Sequence, residues 1–263
     1  MKSIFLQNYK HYLREALGLA IFMVSACFFS ALFFAPQSPL LPYLPGIVGK
    51  NILMGLLMGG TALYIFYSPL TAPSGSHINP AVTLTFWRLD RMCSYDALFF
   101  ILFQFAGGII AVLLMQRAMG PLLTHPPVNS AVTVPGSFGI TWAFVVEFLI
   151  AFITMSMVLF TSERKRLKKY TRIFSACLVC LWVIFAGPVS GFGMNPARSF
   201  ASAWPAHTWT AFWIYVTSPV AGMMAAAELH LFIQKRNTRR GKRRFVRTVE
   251  KTRELLEPLE FLL

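Results

Sequence analysis

The chain has 263 residues, is 56% hydrophobic, and sets 24 Lys and Arg against 10 Asp and Glu, a formal net charge of +14. It is too apolar for an ordinary soluble domain. The basic excess invites a nucleic-acid reading, but its placement, given below, speaks for membrane topology instead.

A bilayer crossing needs ~20 largely apolar residues. Residues 1–11 are polar and read as a mobile N-terminal segment on the cytoplasmic side. The first span, 12–34, holds one acid, Glu15, and ends before Pro36. Residues 35–50 carry Pro36, Pro39, Pro42 and Pro45 and read as an outer loop. The second span, 48–70, is rich in Gly55, Gly59, Gly60, Thr61 and Ala62, small residues that let membrane helices approach closely. Ser68–Pro73 breaks it. Ser74–Leu84 follows, Ser-Gly-Ser-His-Ile-Asn-Pro-Ala-Val-Thr-Leu.

Asn is a favoured helix N-cap, and Pro is tolerated at the first helical position, where its missing N–H would have no partner. Asn79-Pro80-Ala81 therefore starts a helix that runs to about Arg88. Such a helix is ~15 Å long, half of a hydrocarbon core of ~30 Å, so it dips in without crossing.

The third span is 95–116. Residues 117–138, with Pro121, Pro126, Pro127 and Pro135, form a second outer loop. The fourth span, 139–161, contains Glu147, and the basic run Ser162–Arg172 closes it. The fifth, 173–190, leads into Gly187–Phe200, where Asn195-Pro196-Ala197 starts a second short helix that Pro205 stops. The sixth is 209–233, with Glu228 near its end. Residues 234–263 form a basic tail, either a site for anionic lipid or a solvated topology signal. Residues 245–262 read as a surface amphipathic helix.

The two halves, 12–116 and 139–233, repeat one order: a span with a Glu, a loop, a span, a short Asn-Pro-Ala helix, a span. Three spans per half is odd, so the second copy enters from the opposite side, as an inverted repeat. The two short helices then meet N-terminus to N-terminus near the midplane. Apart from Lys50, Arg117 and Arg198, every Lys and Arg lies in alternate connections or at the termini. Basic residues gather in cytoplasmic loops, which puts both termini there. Cys27, Cys177 and Cys180 lie within spans. The Cys177-x-x-Cys180 pair has no His or second Cys pair beside it, so it reads as packing rather than as a metal or redox site.

Ser-Gly-Ser-His-Ile-Asn-Pro-Ala-Val-Thr-Leu at 74–84 and Gly-Pro-Val-Ser-Gly-Phe-Gly-Met-Asn-Pro-Ala-Arg-Ser at 187–199 resemble the signatures of the major intrinsic protein family, the aquaporins and aquaglyceroporins. The resemblance covers most of residues 12–233. It implies an all-α membrane protein of six transmembrane helices and two re-entrant half-helices. It also implies a homotetramer with one pore per subunit and no cofactor or metal.

By the resemblance, Arg198, Phe192 and Val183 form the selectivity filter, and with no gap between 59 and 79 Gly59 supplies its second-span position. Glu15 and Glu147 accept hydrogen bonds from the re-entrant loops. The rival reading of these buried acids is proton coupling. His77 belongs to the cytoplasmic half of the pore or to its packing, with a pH gate as the alternative. Strict water pores of the family tend to carry His where Val183 stands. Phe192 is similar to a glycerol pore, whereas Ser199 and Ala203 look like the water class.

Two helix N-termini in a low-dielectric pore repel cations. The expected function is a passive channel for water, and for small neutral solutes such as glycerol, in the cell membrane. The alternative is a proton- or ion-coupled secondary transporter, which also uses broken helices and inverted repeats. Nothing in the chain suggests an enzyme.

Overall fold

The computed structural model describes residues 2–260, with side chains described at 5–236 and at 238. All the described regular structure is helical. The helices are α1 (Lys2–Phe34), α2 (Ile47–Tyr67), α3 (Pro80–Arg88), α4 (Ser94–Met119), α5 (Pro121–Thr124), α6 (Gly139–Ser162), α7 (Thr171–Phe185), α8 (Gly187–Ser190), α9 (Pro196–Ala203) and α10 (Phe212–Glu260).

Among the described residues, α1, α2, α4, α6 and the 212–236 part of α10 are long and apolar enough to cross a membrane. The expected fifth span divides in two. α7 has 15 residues, and α8 continues it beyond Ala186 as a single turn. Pro188, which has no N–H to continue a helical ladder, sits at that division.

Residues 2–11, the described part of the N-terminal segment, are helical and open α1. Asn8 Nδ2 donates to Asp96 Oδ1 at 3.0 Å, and the buried Tyr12 hydroxyl donates to the same oxygen at 2.5 Å. Phe5 packs edge-on against Phe99 with ring centroids 5.1 Å apart. At the other end, α10 runs without a break through the expected tail boundary at 234. The amphipathic face expected at 245–262 lies outside the described side chains.

Helix packing follows the repeat. α1 packs on α4, and α6 packs on α10 in the same way. α2 packs on α7, its own counterpart. The half-helices exchange partners: α3 lies against α10, and α9 lies against α4. Glycines set two of the matched crossings. A Cβ on Gly107 of α4 would land on the Ala16 carbonyl of α1, and one on Gly222 of α10 would land on the Phe148 carbonyl of α6. In a lipid-embedded bundle such close backbone approach replaces the hydrophobic drive that holds soluble helices together.

Candidate functional site: two half-helices meeting inside the bundle

The site is built from two loops of the same local shape. In the first, Gly75, Ser76 and Ile78 have φ of 95°, 49° and 43°. In the second, Gly191, Phe192 and Met194 have φ of 81°, 51° and 47°. The left-handed region suits glycine, but four of these six residues are not glycine. Each costs roughly 1–3 kcal/mol and persists only where the surroundings over-determine it.

The buried carboxylates supply that determination. Glu15 Oε1 accepts from Ser74 Oγ at 2.6 Å and from the His77 N–H at 3.0 Å. Its Oε2 accepts from the Ile78 N–H at 2.6 Å and from Gln104 Nε2 at 2.8 Å. Glu147 Oε1 accepts from Ser190 Oγ at 2.7 Å and from the Gly193 N–H at 2.8 Å. Its Oε2 accepts from the Met194 N–H at 2.5 Å. A buried acid away from water needs such partners, and hydrogen bonds from backbone and side-chain donors supply them here. With both N–H groups of each loop aimed at the acid, the loop carbonyls turn the other way.

Each loop ends on its Asn. Asn79 Oδ1 accepts from the Ala81 N–H at 2.9 Å, capping α3. Asn195 Oδ1 accepts from the Ala197 and Arg198 N–H groups at 3.1 and 3.2 Å, capping α9. Pro80 and Pro196 sit at the first helical position of each, and Ala81 and Ala197 are fully buried behind them.

Capping sends each amide nitrogen outward from its own helix and across to the other loop. Asn79 Nδ2 donates to the Met194 carbonyl at 2.8 Å, and Asn195 Nδ2 donates to the Ile78 carbonyl at 2.7 Å. These crosswise bonds join the repeats at their centre and place the two helix starts side by side. Each Nδ2 carries two hydrogens, so one N–H per Asn remains for a solute.

Two cavities flank this point. One, of about 280 Å³, is lined by Asn79, Asn195, His77, Val179 and Thr154. The other, of about 450 Å³, is lined by Arg198, Val183, Met54, Met58 and the backbone at Gly191. Phe192, one of the left-handed residues of the second loop, lines both, and so does Phe22 of α1.

The Arg198 guanidinium is half-buried, and its Nη1 donates to Thr133 Oγ1 in the loop between α5 and α6. Ser199 Oγ donates to the same hydroxyl at 3.3 Å. Among the described residues no carboxylate pairs with Arg198. His77 is half-buried, its Nδ1 is 3.2 Å from Thr83 Oγ1, and its ring stacks on Phe86 at 4.8 Å.

A family model, "Major intrinsic protein", matches residues 2–230. The chain belongs to the major intrinsic protein family. It is therefore an integral membrane protein, and its six spans and two re-entrant helices are those of the family.

Among similar proteins is Aquaporin NIP2-2 of Zea mays, 31% identical over 163 residues, which are 61% of this chain and 53% of that protein. A probable NIP-type aquaporin of Nicotiana alata is 32% identical over 192 residues, 72% of this chain and 66% of that protein. The matches thus span from about half to seven tenths of the length of such curated relatives. The X-ray structure of the aquaglyceroporin from Plasmodium falciparum shares the fold. Its TM-score is 0.69 at 18% identity, covering 84% of this chain and 95% of that one.

Within this member of the major intrinsic protein family, one expected site residue is placed elsewhere. Gly59 does not line either cavity. It faces α7, where an added Cβ would come within 2.7 Å of Cys180 Cβ and 3.1 Å of the Ala176 carbonyl. The wall residues that α2 contributes include Met54 and Met58. Gly59 is one residue on from Met58, a turn of about 100° around the helix, and that is enough to exchange cavity wall for helix contact.

Three further residues bear on the site. Phe22 follows Glu15 by seven, on the same helical face. That spacing was a usable signal, because Glu147 plus seven is Thr154, another cavity residue. Thr133 sits in a proline-rich loop and gave no signal. Tyr215 is fully buried, and its hydroxyl donates to the Ser190 carbonyl at 2.7 Å. Its ring takes the space beside Gly193, whose added Cβ would lie 2.5 Å from Tyr215 Cδ1.

Proposed function

We propose that this chain is a passive conduit for water and small uncharged solutes such as glycerol, closed to protons and ions. The observation that carries the reading is the pair of capped helix starts joined crosswise by Asn79 and Asn195 on the wall of a cavity. Each helix N-terminus presents about half a positive charge. Together with the guanidinium of Arg198 they make the path unfavourable for any cation. The free N–H of each Asn donates to a passing oxygen. A water that accepts from both has its lone pairs engaged and cannot relay a proton along the file.

The Arg198 end speaks for polyols as well as water. Arg198 offers donors on one side, while Phe192, Phe22, Val183 and Met58 offer an apolar wall. A glycerol molecule has hydroxyls for the first and a carbon chain for the second. The absence of a His at position 183 leaves that wall apolar.

The distribution of Lys and Arg supports a topology with both termini in the cytoplasm of a cell membrane. A homotetramer with one conduit per subunit completes the proposal. In proteoliposomes, an osmotic step in sucrose should give fast shrinkage, and a step in glycerol should give shrinkage followed by re-swelling. A pH-sensitive dye in the lumen should report no proton entry. Uptake that requires a proton gradient would replace the channel with a coupled transporter.

A further inference from the structure

We infer that the connection between α6 and α7 and the end of α2 form a seat for the headgroup of an anionic phospholipid. A concave pocket of about 470 Å³ lies there, lined by Tyr67, Lys165, Lys168, Lys169 and Arg172. Four of its five lining residues are cationic and none is acidic. A run of Lys and Arg in such a connection is ordinarily a solvated topology signal. Here three observations go beyond that.

The first is that the cations are uncompensated. The one acid of the run 162–172, Glu163, is turned to the other side of the loop. There it pairs with Arg91 at 2.5 Å and His230 at 2.9 Å and accepts from Gln234 at 3.1 Å. Among the described residues, Lys165, Lys168, Lys169 and Arg172 have no carboxylate partner.

The second is that the cations are held over rings. The Arg172 guanidinium lies 5.4 Å from the centroid of Tyr67, and the Lys169 Nζ lies 4.8 Å from that of Tyr170. These contacts gather charge at one place while leaving N–H donors free to meet phosphate oxygens.

The third decides between a lipid and a free phosphate. Tyr67 of the lining is exposed, and so are residues next to the lining along the chain: Tyr64 one turn before it on α2, Tyr170, and Ile173 and Phe174 of α7. Tyrosines at the ends of membrane helices sit at headgroup depth, and the apolar side chains beyond them face acyl chains. A soluble anion would use the cations and leave that apolar rim without a role. A phospholipid uses both.

Arg172 also lines the cavity that leads to Asn79 and Asn195. The seat therefore adjoins the mouth of the site and shares Arg172 with it, while its occupancy can be read without measuring conduction.

The test uses the full-length chain in a nonionic detergent, with dioctanoyl phosphatidylglycerol as probe and dioctanoyl phosphatidylcholine and inorganic phosphate as comparators. The melting midpoint should rise saturably with phosphatidylglycerol alone, as expected when a ligand binds the folded state. The rise should be lost in K165Q/K168Q/K169Q/R172Q and kept in R239Q/R240Q/R243Q/R244Q, which alters the other basic cluster. A rise that survives the first set, disappears only with the second, or is reproduced by inorganic phosphate overturns the proposal.

A photoactivatable phosphatidylglycerol on the unaltered chain gives a second measurement that no folding defect can confound. Crosslinks to peptides holding Tyr67 or Lys165–Arg172 support the seat. Crosslinks confined to residues beyond 234, or absent from both, overturn it.

Discussion

Asn195→Asp tests the electrostatic reasoning directly. The substitution keeps an oxygen to cap α9, where Oδ1 accepts from the Ala197 and Arg198 N–H groups. It removes the donor to the Ile78 carbonyl, a buried bond of 2.7 Å. Losing that bond costs about 1–3 kcal/mol of stability. The larger consequence concerns charge. Two helix ends supply roughly one positive charge between them, and an ionised carboxylate at their junction cancels it.

For a monovalent cation ~4 Å from the new carboxylate, at an effective dielectric constant of ~20, the added attraction is about 4 kcal/mol. At about 1.4 kcal/mol per tenfold, the cation occupancy of the midpoint rises on the order of a thousandfold. Arg198 stays in place and reduces the gain without abolishing it. Planar bilayers or voltage-clamped cells should therefore show a cation current in the variant and none in the parent. The current should grow as the pH is raised and the carboxylate ionises, while osmotic water flow persists. A variant that still passes water but carries no more cation current than the parent at alkaline pH would refute the helix-end barrier.

Glu147→Ala strands three buried donors, from Ser190, Gly193 and Met194. At about 1 kcal/mol or more for each, it should lower stability by roughly 3 kcal/mol, read as a fall in melting midpoint, and should abolish permeation as the loop relaxes. Met58→Ala widens the Arg198-side cavity and should raise the ratio of glycerol to water permeability. Gly59→Ala, one residue away, should instead cost about 1–3 kcal/mol through overpacking on Cys180, with that ratio unchanged. Equal effects on selectivity would return Gly59 to the conduit.

Glu163 is raised by its partial burial, but hydrogen bonds from His230, Arg91 and Gln234 outweigh this and hold its carboxyl below the usual glutamate value. A depressed pKa contributes stability that is present above the ordinary value and lost as the pH falls through the lowered one. Thermal melts in acid should show that loss, and Glu163→Gln should flatten the dependence over the same window.

Much of this site could be read from the chain because its determinants are local. An Asn that caps and a Pro at the first helical position start a helix wherever they stand, and helix length alone tells a half-crossing from a full one. The count of spans per half sets the inversion. What the tertiary structure decided is which side chains face the conduit. In a soluble helix, polar residues mark the outside. In lipid the outside is as apolar as the core, so α2 offered no contrast between Met58 and Gly59, and on α1 only the spacing from Glu15 marked Phe22. Contacts between residues more than a hundred positions apart were equally hidden. The bond from Asn79 to the Met194 carbonyl and its mirror from Asn195 to Ile78 exist only because α3 and α9 are brought end to end by helices packed elsewhere in the bundle.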